Sequence, residues 1–533
     1  MPGLDFFVLA VGAVAVAAVA RRLGLPVPIM LVVAGLAVSF VPGVPDYTLD
    51  SDLILLVFLP PLLYSATLDS SYLGLRANAR PIALLSVGLV LFTTVGVGFA
   101  VHAMIPALPL AVTFALGAIV APPDALSAVA IARRLGLPRR LVTILVGESL
   151  FNDATALTVY RVAIAAAAGE GVSLLTGVGE FALAAVGGVV VGLVLGPLIH
   201  VLRRRLKDPL VESALSVLVP FAAYLVAESF EASGVLAVVV VGLYLGHRSG
   251  EVGYATRLED HAVWKMVVFL MESMVFALIG LQLRPIVAGL SGYHWTELAQ
   301  YGLAVFGLVV VLRFVWVFPA GYLPRLFSRR VREHEPYSAR QTVAVSWAGM
   351  RGVVSLAAAV AIPLTTDDGD PFPGRDLLLF LTFCAVLGTL LVQGLTFPAL
   401  IRLLRIGSAD KEQYKDTLAE AQAQYAAAQA ARQVLDDLAE GRDGDAAPPE
   451  HVTNWLRGQS EFRANSAWER LGGGTGPAGE ETPSAAHRRA RLAMLNAERA
   501  TFVRMRDERR IDDEVMRRVL HELDLEEAQL ARE

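Results

Sequence analysis

The chain has 533 residues, 55% of them hydrophobic and only 18% charged, with a formal net charge of −5 and a mean hydropathy of +0.56. Such a balance excludes an ordinary soluble globular protein and identifies a membrane protein by composition. Cys384, the only cysteine, lies in an apolar run, which excludes a disulfide framework and a thiolate metal site; no cofactor and no nucleic-acid partner are expected.

A membrane span needs about 20 mostly apolar residues, fewer where it is short or broken. Thirteen candidates follow in chain order, at roughly 4–20, 26–42, 52–68, 81–105, 108–132, 141–167, 174–202, 212–230, 234–246, 263–283, 299–323, 341–364 and 377–401. The first reads as a retained span, since no positive segment precedes it and no small-residue cleavage site follows it. The fold class expected is therefore an all-α polytopic membrane protein of about thirteen transmembrane helices.

Loop charges check that count. One alternate set of loops holds twenty Lys and Arg, including Arg21, Arg22, Arg76, Arg80, Arg133, Arg134, Arg139, Arg140, Arg203 and Arg325, whereas the other holds only Arg284 and Arg375. The positive-inside rule then puts the N-terminus outside and the C-terminus in the cytoplasm of a cell-membrane protein. The outer acidic stretches VPDYTLDSD and TTDDGDP read as solvated faces that could raise the local cation concentration modestly.

Charge at membrane depth is costly, roughly 2.5–3.5 kcal/mol for Asp, Arg or Lys at a helix centre on insertion scales. Asp124, Glu148, Asp153, Arg161, Glu228, Glu272, Arg313 and Arg351 each require a reason. Arg161, Glu272 and Arg313 are read as structural, near helix ends or snorkelling.

In the fifth span, GAIVAPPDALSAVAIARR, two successive prolines remove backbone donors and disfavour helix at the residues before them. The helix should break there and leave free backbone groups beside Asp124, a setting in which transporters bind coupling ions. The plainer alternative is a proline kink capped by Asp124.

The sixth span contains GESLFNDATALTVYR. At helical spacing Ser149 and Asp153 form one stripe and Glu148 and Asn152 the next. Two ionised carboxylates on neighbouring turns would repel, so one needs a permanent counter-charge. Arg351, flanked by Gly349 and Gly352 in SWAGMRGVVSLAAAV, is expected to pair with Glu148 and leave Asp153 available. The alternative is an Arg351 facing a headgroup or a carbonyl cluster. FLPPLLYSATLDS in the third span and FLMESMVFALIGLQL in the tenth begin alike seven spans apart, an odd offset that suits inverted repeats.

After the last span the chain becomes polar, with 18 basic and 25 acidic residues from position 407 onward. That charge excludes a polybasic lipid anchor. Two domains are expected, 1–405 spanning the membrane and 406–533 forming a helical cytoplasmic tail, regulatory or dimer-supporting, or else a solvated spacer. Thr482 and Pro483 mark a helix start.

These motifs in order, FLPPLLYSA, APPDALSAVA, GESLFNDATA, AESFEASGVLAVVVVGL, LIGLQL and SWAGMRGVVSL, resemble the monovalent cation:proton antiporter-1 family, the sodium/proton exchangers, over about 1–405. The tail resembles those of bacterial members less specifically. The resemblance implies thirteen helices in two inverted six-helix repeats, two broken helices crossing at the ion site, a core domain moving against a dimerisation domain, and a homodimer. By it Asp153 carries cation and proton alternately, and Asn152 marks exchangers regarded as electroneutral. Asp124 and Ser149 match further ion-site positions, Glu148 and Arg351 a structural ion pair, and Glu228 a further family carboxylate. Two departures stand out: Pro123-Asp124-Ala125 replaces the Thr-Asp-Pro common in the family, and Ser65 stands where some members have an ion-site carboxylate.

A hard monovalent cation wants oxygen ligands, here the carboxylates of Asp153 and Asp124, the Ser149 hydroxyl, freed carbonyls near Pro123, and water. Exchange of Na⁺ for H⁺ by alternating access, in the service of pH homeostasis, is the function expected. K⁺/H⁺ exchange at the same site is the alternative, followed by a cation channel or an ion-sensing membrane protein. An intramembrane hydrolase using Ser149 lacks a nearby histidine, since His102 and His200 fall near span ends.

Overall fold

The computed structural model describes residues 2–42, 56–124, 128–129, 131–132, 135–168, 174–206, 208–290, 292–327, 338–366, 369–406, 409–440, 448–471 and 480–530. The stretch VPDYTLDSD, part of TTDDGDP, and Arg133, Arg134, Lys207, Arg329, Arg330 and Arg332 lie outside the described residues. Among those described the chain is helical, with no strand beyond an isolated bridge between Thr365 and Pro371. It divides into two compact units, Met1–Gly407 and Ser408–Glu533.

The first unit contains α1 (Pro2–Arg22), α2 (Val27–Ser39), α3 (Leu59–Leu68), α4 (Ala79–Met104), α5 (Leu110–Val120), α6 (Arg139–Ala168), α7 (Leu174–Leu206), α8 (Pro209–Ser229) and α9 (Gly234–His247). There follow α10 (Tyr254–Leu281), α11 (Trp295–Phe327), α12 (Ala339–Trp347), α13 (Val353–Val360) and α14 (Arg375–Leu404). Among the described residues, six helices in this unit are long and apolar enough to cross a membrane: Ala79–Met104, Ala182–Leu206, Pro209–Ser229, Tyr254–Leu281, Trp295–Leu323 and Arg375–Leu404.

The short helices are short for local reasons. α5 stops where Pro122 and Pro123 remove successive backbone donors. The run 341–364 is two helices, α12 and α13, separated by the extended segment Gly349-Met350-Arg351-Gly352. Elsewhere small residues let backbones approach closely. Gly35 of α2 and Gly280 of α10 face one another, and a methyl on Gly280 would lie 2.3 Å from the Val32 carbonyl oxygen. A π turn at Leu84–Leu89 within α4 leaves the Leu84 carbonyl to accept from the Trp316 indole at 2.9 Å, which ties α4 to α11.

The second unit holds α15 (Ala409–Ala439), α16 (Glu450–Leu471), α17 (Pro483–Asp507) and α18 (Asp513–Leu530). α17 opens on Thr482, whose hydroxyl accepts from the Ala485 N–H at 3.4 Å, with Pro483 as first helical residue. α17 and α18 form a hairpin around Leu495, Leu523 and Leu530.

Candidate functional site

The two interruptions lie against each other. The Asp124 amide donates to the Met350 carbonyl at 2.7 Å, so each non-helical segment satisfies a backbone group that the other leaves over. Gly352 permits this approach: a methyl on it would fall 2.0 Å from Asp124 Oδ2. Arg351, fully buried, donates from Nε to the Val120 carbonyl at 3.0 Å, from Nη2 to that of Ala121 at 3.5 Å, and also to the Gly349 carbonyl. It thus neutralises the negative C-terminal end of α5, whose last carbonyls have no intrahelical partner.

α6 passes beside the break. Asn152, fully buried, donates from Nδ2 to the Pro123 carbonyl at 2.8 Å, while its Oδ1 has no partner among the described residues. The next residue, Asp153, is within electrostatic reach of Asp124. Asp153 is only 6% exposed, and no group among the described residues donates a hydrogen bond to its carboxylate. Ser149, half-buried, lies one turn earlier on the same helix. The structure therefore brings Asp153, Asn152, Asp124 and the Pro123 carbonyl to one place, with that carbonyl already accepting from Asn152 and Ser149 one turn away along α6.

Glu148 corrects the expectation from sequence. Its partner is Arg313 of α11: Nη2 donates to Oε2 at 2.8 Å and Nη1 contacts Oε1, with both residues essentially excluded from solvent. Arg313 also donates to the Val345 carbonyl from Nε at 3.2 Å and from Nη2 at 3.0 Å. Arg351 faces the carbonyl cluster instead of Glu148. The physical reason is the break in α5, whose orphan carbonyls attract the nearer guanidinium. A sequence signal for Arg313 existed, because it sits near the middle of the 299–323 run, too deep to snorkel to a headgroup.

Glu228 and Ser65 stand elsewhere. Glu228 Oε2 accepts from Arg161 at 3.4 Å and Oε1 from the Gly234 N–H at 3.4 Å. Arg161 is eight residues past Asp153 on α6, about 12 Å along the axis, so Glu228 ties α6 to the α8–α9 connection. Ser65, on α3, lines a cleft of about 560 Å³ with Glu272 and Trp264.

Chemically, the site is a buried carboxylate beside a second one, with amide, hydroxyl and carbonyl oxygens around them. Such a group requires a counter-charge, and a proton or a monovalent cation meets that need.

The family model for the transmembrane sodium/hydrogen exchangers matches residues 7–403. An uncharacterised Na⁺/H⁺ exchanger of Mycobacterium tuberculosis is 35% identical over 534 aligned positions, covering 99% of this chain and 96% of the relative. A sodium, potassium, lithium and rubidium/H⁺ antiporter of Bacillus subtilis is 32% identical, covering 70% of this chain and 58% of the relative. Among solved structures, the sodium proton antiporter MjNhaP1 from Methanocaldococcus jannaschii matches with a TM-score of 0.57 at 19% identity, covering 76% of this chain and 98% of that one. The chain is a multi-pass membrane protein that belongs to the sodium/hydrogen exchanger family, whose members are cation/proton antiporters and not enzymes.

Proposed function

We propose that the protein exchanges a monovalent cation, Na⁺ foremost, for H⁺ by alternating access, with Asp153 as the group over which the two compete. The observation that carries this reading is the buried Asp153 carboxylate, accepting no hydrogen bond among the described residues and within electrostatic reach of Asp124, beside the Asn152 to Pro123 bond. Moving an empty, ionised site through the membrane interior is costly, whereas an occupied one is nearly neutral. Coupling then follows from mutual exclusion at one carboxylate.

Asp124, Ser149 and the remaining lone pair of the Pro123 carbonyl complete the cation's shell. Asn152 holds no proton to release, which supports electroneutral exchange of one cation for one proton. The thirteen-helix arrangement with inverted repeats, an external N-terminus, a cytoplasmic regulatory tail from about residue 406 and a homodimeric assembly in the cell membrane belong to the same proposal, supported by family membership and by the loop charges. A role in pH homeostasis follows from the exchange itself. K⁺/H⁺ exchange at this site is the second reading, favoured by the several cations named for the Bacillus subtilis relative.

The test is a cation series in proteoliposomes with an internal pH dye. Wild-type protein should move protons when Na⁺ is added, and Asp153→Asn should abolish the signal while remaining folded. A variant that exchanges at the wild-type rate overturns the assignment. Dissipation of a Na⁺ gradient without proton movement would indicate a channel.

A further inference from the structure

Glu272 of α10 lines two clefts at once, the one of about 560 Å³ shared with Ser65 and another of about 850 Å³ that reaches Met350, the residue whose carbonyl holds the Asp124 amide. It is half-buried, and no hydrogen bond or ion pair reaches it among the described residues. Its charge is within electrostatic reach of Asp124, and α10 packs on α13 beside the break. Of the basic groups lining these clefts, His261, Lys265 and Arg402 are exposed and Arg21 is within electrostatic reach of Glu272. Arg203 is paired with Asp260 at 2.5 Å, Arg257 donates to the Val252 carbonyl at 2.6 Å, and Arg21 lies over the Phe269 ring at 4.5 Å.

We propose that Glu272 is a cation-recruiting carboxylate on the access route, holding the monovalent cation, with water and the Ser65 hydroxyl, before it passes to Asp124 and Asp153. A carboxylate in a narrow cleft with low-dielectric walls concentrates cations near it. Arg21, which lines both clefts, opposes that field. The inference rests on the exchange function proposed above.

Dye-loaded proteoliposomes test it through the half-saturating Na⁺ concentration. At low ionic strength Glu272→Gln should raise that concentration about tenfold with the maximal rate kept within about twofold, the signature of lost recruitment. Glu272→Asp should fall between, and Arg21→Gln should shift half-saturation in the opposite direction. Added choline chloride should shrink both effects. Unchanged half-saturation in Glu272→Gln, or a lost maximal rate with half-saturation unaltered in a folded protein, overturns the role. If Glu272→Gln does not fold, opposite shifts in Glu272→Asp and Arg21→Gln support it and equal signs overturn it. Absence of exchange in the wild type, or exchange retained by Asp153→Asn, would instead overturn the underlying function.

Discussion

Arg313 and Glu148 form a two-pronged ion pair in the middle of the membrane unit, with Nη2 to Oε2 at 2.8 Å and neither side chain reaching solvent. The pair joins α6, which carries Asp153, to α11. Removing one partner strands a buried charge, so Arg313→Gln or Glu148→Gln should lower stability by about 3–5 kcal/mol. Thermal unfolding in detergent, followed by fluorescence-detected gel filtration, measures this. The double variant Glu148→Leu with Arg313→Met should recover most of the loss, leaving a deficit of about 1 kcal/mol for the Val345 carbonyl. A double variant no better than the singles would mean that the pair does more than neutralise itself.

The contrast between Glu148 and Asp153 was legible in the sequence; the identity of the counter-charge was not. Helical spacing separated the two stripes on α6, and the paired prolines located the break beside Asp124, because both are local properties. Choosing between Arg313 and Arg351 depends on which guanidinium meets the orphan carbonyls of Val120 and Ala121, a relationship between residues over two hundred positions apart. The position of Glu272 is of the same kind, since a helix-end reading takes no account of two clefts meeting at one side chain.

Glu228 is held by Arg161 and the Gly234 amide. Its contact with Arg161 is 3.4 Å long, and the two side chains are 33% and 62% exposed. An exposed pair of this kind contributes about 0–1 kcal/mol. Glu228→Gln should therefore leave the unfolding temperature nearly unchanged and leave the order of preferred cations in the vesicle assay intact. A reordered cation series would bring Glu228 into the coordination shell during part of the cycle.

The helical hairpin of α17 and α18 should respond to acid. Arg491 donates to Glu526 at 2.7 Å and to Glu498 at 2.9 Å, and Arg499 donates to Asp524 at 2.8 Å. The Arg491 hydrogen bonds hold the Glu526 carboxyl below its ordinary value of 4.5. A carboxyl depressed in the folded state contributes stability that is present above its unfolded pKa and is lost as pH falls through the folded one. Amide protection across residues 483–530 in the full chain, taken relative to the intrinsic exchange rate at each pH, should thus be constant near neutrality and fall below about pH 4.5. Arg491→Gln should reduce that acid dependence by removing the contribution of Glu526.

Gly352 and Gly349 are neighbours in one extended segment, yet they guard different things. A methyl on Gly352 would meet Asp124 Oδ2 at 2.0 Å and its Cβ at 2.6 Å, whereas one on Gly349 would meet Arg313 Cδ at 2.4 Å. Asp124 is anchored through its amide to Met350, so its carboxylate has to turn away from α13 if Gly352 gains a side chain. Gly352→Ala should consequently lower exchange at least about tenfold, with an overpacking cost of about 1–3 kcal/mol in stability. Gly349→Ala displaces the Arg313 side chain from Glu148 and should lower stability further, towards the cost of a broken buried pair of about 3–5 kcal/mol. Parallel vesicle and unfolding measurements separate the two: a functional loss exceeding the stability loss at Gly352, and the reverse at Gly349. Equal stability losses with exchange retained in Gly352→Ala would mean that the Asp124 carboxylate tolerates displacement and does not ligate the cation.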